Sequence, residues 1–157
     1  MIVVDANVVV AFLLDTPLAL DAREIQSRDA EWMTLPLCQI EVWNALLQET
    51  KAKKLTLQNA TAAAETAMRL LAYRTDGCDP STVLATACST GLTAYDATYA
   101  VLARSLDVPL ITEDKQILRA CPDVARSMRQ FLAPPGPPMT VREKRAAYRT
   151  CRVRCGR

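Results

Sequence analysis

The sequence predicts an α/β protein: an open, mainly parallel sheet flanked by helices on both faces (α/β/α), followed by a basic C-terminal tail. Three observations carry that prediction. Short β-branched or aromatic runs alternate with Ala- and Leu-rich stretches of helical character, the pattern of strands joined by helical crossovers. The chain has 157 residues, half of them apolar, enough for one domain that buries roughly 70% of its unfolded surface. Four of the nine prolines fall within residues 134–138, which bounds a folded body at 1–133 and leaves 134–157 as a Pro-rich linker and tail.

Taken in order, Ile2 to Val4 reads as a buried strand, and Asp5-Ala6-Asn7 supplies turn and cap chemistry for a helix that follows it. A second helical stretch begins after Pro17. Trp32 to Leu35 reads as a strand, and Leu37 to Lys53 and Leu57 to Tyr73 as two long helices. After the break Thr75 to Pro80, a helix from Ser81 to Ser89 stops near Gly91. Ala94 to Leu106 is a helix, Pro109 to Thr112 a strand, Lys115 to Ala120 a helix, and Val124 to Met128 a last strand. In such sheets the ligand crevice lies at the carboxyl ends of the strands.

Composition removes several kinds of chemistry. There is no histidine, so Ser-His-Asp and Cys-His nucleophiles, paired-histidine ribonuclease chemistry and His-containing zinc sites are excluded. The net charge of +2 hides an asymmetry. Residues 139–157 hold seven of the nineteen basic side chains (Arg142, Lys144, Arg145, Arg149, Arg152, Arg154, Arg157) and one of the seventeen acids, Glu143. The tail is therefore +6 and the preceding body −4. This basic tail reads either as a nucleic-acid contact or as a solvated extension. Cys38, Cys78, Cys88, Cys121, Cys151 and Cys155 have no regular spacing and read as reduced, buried thiols. The longest apolar run, Val8 to Leu14, is too short to span a bilayer, and no basic leader precedes the first strand, so a soluble, cytoplasmic protein is expected.

Four acids stand out. Asp5 follows the first strand and Asp114 ends the strand at Pro109 to Thr112, so both point to one edge of a parallel sheet. Taken singly, each also reads as a helix cap. Asp96 falls on the helical face of Tyr99, Ala100, Ala103 and Leu106, within an apolar stripe where an ionised carboxylate is costly unless Arg104 or Arg119 pairs with it. Glu41 lines up with Leu37, Asn44 and Gln48 beside the apolar arc of Ile40, Trp43 and Leu47, taken as the buried one; a solvated helix face is its plain reading. Carboxylates within about 4 Å of each other repel by roughly 4 kcal/mol per pair at an effective dielectric near 20, so such a cluster holds protons or a cation. Oxygen-only ligands suit a hard ion, Mg²⁺ or Mn²⁺. That ion activates water for displacement at phosphorus without a histidine base.

These residues carry a resemblance. Val3-Val4-Asp5-Ala6-Asn7, Glu41-Val42-Trp43-Asn44-Ala45-Leu46, Thr93-Ala94-Tyr95-Asp96-Ala97-Thr98-Tyr99-Ala100 and Leu110-Ile111-Thr112-Glu113-Asp114 resemble the four successive motifs of the PIN-domain ribonucleases, above all the toxins of VapBC-type toxin–antitoxin pairs. The resemblance covers residues 1 to about 132. It implies a PIN-like fold and a metal-dependent endoribonuclease in which Asp5, Glu41, Asp96 and Asp114 hold Mg²⁺ or Mn²⁺ and cut RNA. Asn7 and Thr112 take supporting roles, and Glu113 is a secondary candidate. A homodimer silenced by a cognate antitoxin protein is implied as well. The tail beyond Pro134 departs from the compact family pattern. Other readings remain: a PIN-like nucleic-acid-binding or RNA-processing protein outside toxin–antitoxin systems, or a phosphatase or dehalogenase with Asp5 as nucleophile, which would expect an Asp where Asn7 stands.

Overall fold

The structure is a computed structural model that describes residues 1–134. The basic tail, with Cys151 and Cys155, lies outside the described residues. Ile2–Val4 is β1, followed by α1 (Ala6–Leu13) and α2 (Ala19–Arg28). Trp32–Thr34 is β2, and α3 (Pro36–Lys51) and α4 (Leu57–Leu70) come next. Leu71–Tyr73 is β3, Pro80–Thr90 is α5 and Ala94–Leu106 is α6. The described chain closes with β4 (Leu110–Ile111), α7 (Lys115–Ala120), β5 (Ala125–Arg126) and α8 (Met128–Leu132).

The five strands form one sheet in the order β3-β2-β1-β4-β5, every neighbouring pair parallel. The helices pack in two sets, α1 with α2, α3 and α4 in one and α5 with α6 and α7 in the other. Parallel strands buried between helices need apolar side chains on both sides, and Ile2, Val3, Val4, Leu110 and Ile111 are all fully buried. Trp32 on β2 meets the edge of Phe12 on α1 with ring centroids 5.5 Å apart, which fixes the first helix over the sheet. The strand order reverses at β1. From there the chain moves outward through β2 to β3, then returns to the other side of β1 for β4 and β5. The crevice of such a fold opens at that reversal, beyond the carboxyl ends of β1 and β4.

Local signals set most helix ends. Thr56, Asp79, Thr93 and Asp114 each accept a backbone hydrogen bond in the first turn of the helix they open. Gly91 closes α5 in the left-handed region at φ +72°. Three expectations need correction. The segment Leu71 to Tyr73 is not the end of α4 but an edge strand, with Trp32, Met33 and Thr34 opposite Leu71, Ala72 and Tyr73. Its residues suit a helix as well as a strand, and the open edge of β2 decides between them. The last strand is only Ala125–Arg126, because Ser127 and Gln130 form a reciprocal capping box that starts α8 at Met128. Finally, Cys88 is exposed, whereas Cys38 and Cys121 are buried; all four described cysteines are free thiols.

The loop before α5 makes its own test. Gly77 sits at φ +80°, and a β-carbon there would stand 2.7 Å from Cβ of Ser105 on α6. A Gly77→Ala substitution is therefore expected to destabilise the fold by about 1–2 kcal/mol, from backbone strain and overpacking together. Urea unfolding should show a lower midpoint at unchanged slope. An unchanged midpoint would mean that the loop moves aside freely.

Candidate active site

The topology brings all four predicted acids to one edge of the sheet. Asp5 follows β1, Asp114 stands three residues past the end of β4, Glu41 lies in the second turn of the helix after β2, and Asp96 lies in the first turn of the helix that leads into β4. Each position is at or just past the carboxyl edge of a parallel strand, or at the matching end of a crossover helix.

Asp5 is the centre of the arrangement. It occupies the N-cap position of α1 yet makes no side-chain cap bond, so the cap reading fails for it. Its backbone N–H donates to Ile111 O at 3.0 Å, which locks it beside β4. Its Oδ2 accepts from Thr112 Oγ1 and from Asn7 Nδ2, both at 2.6 Å. Asn7 Oδ1 in turn accepts from the Glu113 N–H at 3.0 Å, and Thr112 Oγ1 accepts from the Asp114 N–H at the same distance. Asn7 and Thr112 thus tie the two strand ends together and hold the Asp5 carboxylate between them.

The carboxylate is 8% exposed. Burial first, and then the negative charges of Glu41 and Asp114, push its pKa up from 3.8 to about 6, against the lowering effect of the Thr112 hydrogen bond. Asp114 does behave as a cap: its Oδ1 accepts from the N–H groups of Gln116 at 2.6 Å and Ile117 at 3.1 Å. Its other oxygen has no donor among the described residues.

Glu41 faces inward, but not for the reason its helical pattern offers. The apolar arc of Ile40, Trp43 and Leu47 is the exposed one, at 55%, 42% and 46%. Helix α3 instead buries Cys38, Val42 and Leu46, and position 41 falls on that side, one turn after Cys38. The spacing is equally compatible with either face, and packing against α1 selects the second. Glu41 Oε2 accepts from the Tyr99 hydroxyl at 2.7 Å. Neighbouring the same spot is the Cys38 thiol, which burial pushes up to about 11. Tyr99 is held above the usual tyrosine range by burial, by the adjacent thiol and by Glu41, so it stays a donor.

Asp96 departs from its expected surroundings. The stripe of Tyr99, Ala100 and Ala103 is buried as expected, but Asp96 lies a turn earlier, where the helix emerges from the core and the side chain is half-exposed. Its Oδ2 accepts from the Thr93 hydroxyl at 2.7 Å within its own helix start. It makes no hydrogen bond to the other three acids. Nor does Arg104 reach it, because that guanidinium makes a two-pronged ion pair with Asp123 at 2.8 and 2.9 Å. Glu113 turns away and accepts from the Met128 N–H at 2.8 Å, holding the start of α8. Residues the sequence reading passed over are Tyr99 and Cys38. Tyr99 lies within the third motif, but its helical spacing reads only as core.

The donor set suits a hard cation in chemistry. It is oxygen-only and negative, and among the described residues none of Asp5, Glu41, Asp96 and Asp114 takes part in an ion pair with Lys or Arg. No three acidic or thiol side chains among the described residues converge closely enough to hold an ion as they stand. Three of the acids are each engaged by a separate donor, Glu41 by Tyr99, Asp96 by Thr93 and Asp114 by the α7 N-terminus.

Fold and site together define a doubly wound α/β protein with an acidic, histidine-free crevice at its switch point. The chain belongs to the PIN domain family, whose profile matches residues 2–121. PIN domains are generally nucleases, acting on nucleic acid and typically using divalent metals. Among solved structures the chain is similar to the crystal structure of PAE2754 from Pyrobaculum aerophilum, at 27% identity and a TM-score of 0.66, over 83% of this chain and 92% of that one. No curated protein matches it. No helix among the described residues is long and apolar enough to cross a membrane.

Proposed function

We propose that this chain is an endoribonuclease dependent on Mg²⁺ or Mn²⁺, and that it serves in the cytoplasm as the toxin of a VapBC-type toxin–antitoxin pair. The observation that carries the metal-dependent reading is the Asp5 carboxylate. It sits at the β1–β4 switch point, raised in pKa first by burial and then by two more acids, and without a basic partner among the described residues.

Asp5, Glu41, Asp96 and Asp114 would hold the ion, whose contribution when bound is a water acidic enough to attack phosphorus and charge to offset that gathering on the phosphate. The remaining work belongs to the chain. Thr112 and Asn7 orient Asp5 and keep its Oδ2 engaged, so the carboxylate cannot rotate away. Asp114 is fixed by the α7 N-terminus through one oxygen only. Glu41 and Asp96 reach the same sheet edge from two crossover helices. The acidic crevice repels a phosphate backbone until a cation neutralises it, which favours cleavage only by the metal-loaded protein.

A protein partner is supported by the apolar strip that α3 and α4 leave open, Ile40, Trp43, Leu47, Leu57 and Met68. A second copy and a cognate antitoxin are the proposed occupants. Co-expression with the product of the adjacent upstream reading frame tests this: the pair should co-purify and relieve growth arrest. Failure of both would place the chain outside toxin–antitoxin systems. RNA fragments mapped after induction would name the sequence that is cut.

The basic tail is proposed to contact RNA. Ending the chain after Ala133 removes seven basic residues while keeping all four acids. If half of them touch phosphates, the salt slope of RNA binding should fall by roughly two to three, at about 0.7 per contact on a single strand. Binding titrations across ionic strength with both lengths of chain measure it, and an equal slope would make the tail a bystander.

A further inference from the structure

Glu41 is the acid its own element restrains least. It lies within α3, away from the helix start, so no free backbone N–H is at hand to cap it as those of α7 cap Asp114. Among the described residues its one hydrogen-bond donor is Tyr99, 58 positions away on α6, which reaches Oε2 at 2.7 Å while Oε1 has none. Tyr99 is 2% exposed and is carried by a helix that packs against β1 and β4. A flexible carboxylate is thus fastened to a rigid donor. This link joins the helix after β2 to the helix before β4, the two crossovers that flank Asp5.

We propose that Tyr99 is the positioning residue of this site: its buried hydroxyl fixes Oε2 of Glu41 beside Asp5 and leaves Oε1 to serve as a ligand for the divalent ion. The inference rests on the metal-dependent reading above. A donor behind a ligating carboxylate sets its orientation in advance, so less side-chain freedom is lost when the ion binds. The alternative is that the bond merely satisfies a buried phenol, as buried tyrosines generally require. The two differ in one respect: satisfaction of the phenol affects folding, whereas positioning affects metal affinity.

The test uses the full chain and Mn²⁺ as probe, with free Mn²⁺ counted by its paramagnetic resonance signal during titration, in the absence of RNA. Tyr99→Phe keeps the ring and removes only the hydroxyl, and should weaken Mn²⁺ binding about tenfold. Glu41→Gln should weaken it at least as much, and the double variant no more than Glu41→Gln alone, since the hydroxyl acts only through that carboxylate. Thermal melts without metal report any folding defect separately. Tyr99→Phe binding Mn²⁺ within twofold of the parent, or losses that add in the double variant, would overturn the positioning role while leaving the metal site intact. A parent protein that takes up no Mn²⁺ would overturn the metal reading and this inference with it.

Discussion

Asp5→Asn is expected to cut cleavage of single-stranded RNA by on the order of 10³-fold at saturating Mn²⁺, the scale on which loss of one group stabilising transition-state charge is felt. The substitution is nearly isosteric. The amide oxygen still accepts from Thr112 and Asn7, so the strand ends remain tied and the protein should fold. What disappears is the one buried negative charge at the centre of the crevice, with the share of cation affinity it supplies. Asp114→Asn should lose activity for the same reason, although its amide also weakens the α7 cap. Cleavage of a labelled oligonucleotide, with and without excess chelator, is the measurement. Undiminished activity in Asp5→Asn, or full activity of the parent in chelator, would sink the metal-dependent mechanism.

The same substitution should stabilise the metal-free protein. The carboxyl titrates near 3.8 in the unfolded chain and near 6 in the folded one, so between those values the native state binds more protons. Stability therefore falls as pH rises from about 4 through 6, and the loss is complete above that window. At 1.36 kcal/mol per unit, its ceiling is about 3 kcal/mol. Without metal at neutral pH, Asp5→Asn should melt higher than the parent, by up to roughly 6–12 °C for a domain of this size. The difference should vanish below pH 4, where the parent's carboxyl is protonated in both states. Adding Mn²⁺ should raise the parent and leave the variant nearly unmoved. Parallel melting curves across pH for the two proteins would contradict the burial argument.

Much of the site was legible because its residues stand next to strong local signals. Asp5 and Asp114 end β-branched strands, and parallel strands carry their carboxyl ends to one edge. The absence of histidine confined the chemistry to oxygen ligands before any contact was known. Asp96 was drawn from helical spacing, and there the reading went too far: periodicity tells which face a residue shares, not how far along the helix the core extends. Glu41 shows the opposite failure. Its helix has two apolar arcs, Ile40 with Trp43 and Leu47, and Cys38 with Val42 and Leu46. Spacing is compatible with either, and the bulkier one, expected to be buried, is the one the structure leaves exposed.

What the sequence determined by itself was most of the alternation of elements, the cap at Asp114, the stop at Gly91 and the edge at which the acids stand. These depend on interactions within a few residues, or on the parallel direction that helical crossovers impose. The strand order, the conversion of Leu71–Tyr73 from helix to edge strand, the inward turn of Glu41 and the Tyr99 hydrogen bond belong to the tertiary structure alone. Each depends on contacts between separate elements of the chain, such as Trp32 opposite Leu71 or Glu41 with Tyr99, and short segments such as Leu-Ala-Tyr have too little intrinsic preference to choose a conformation until the partner is in place.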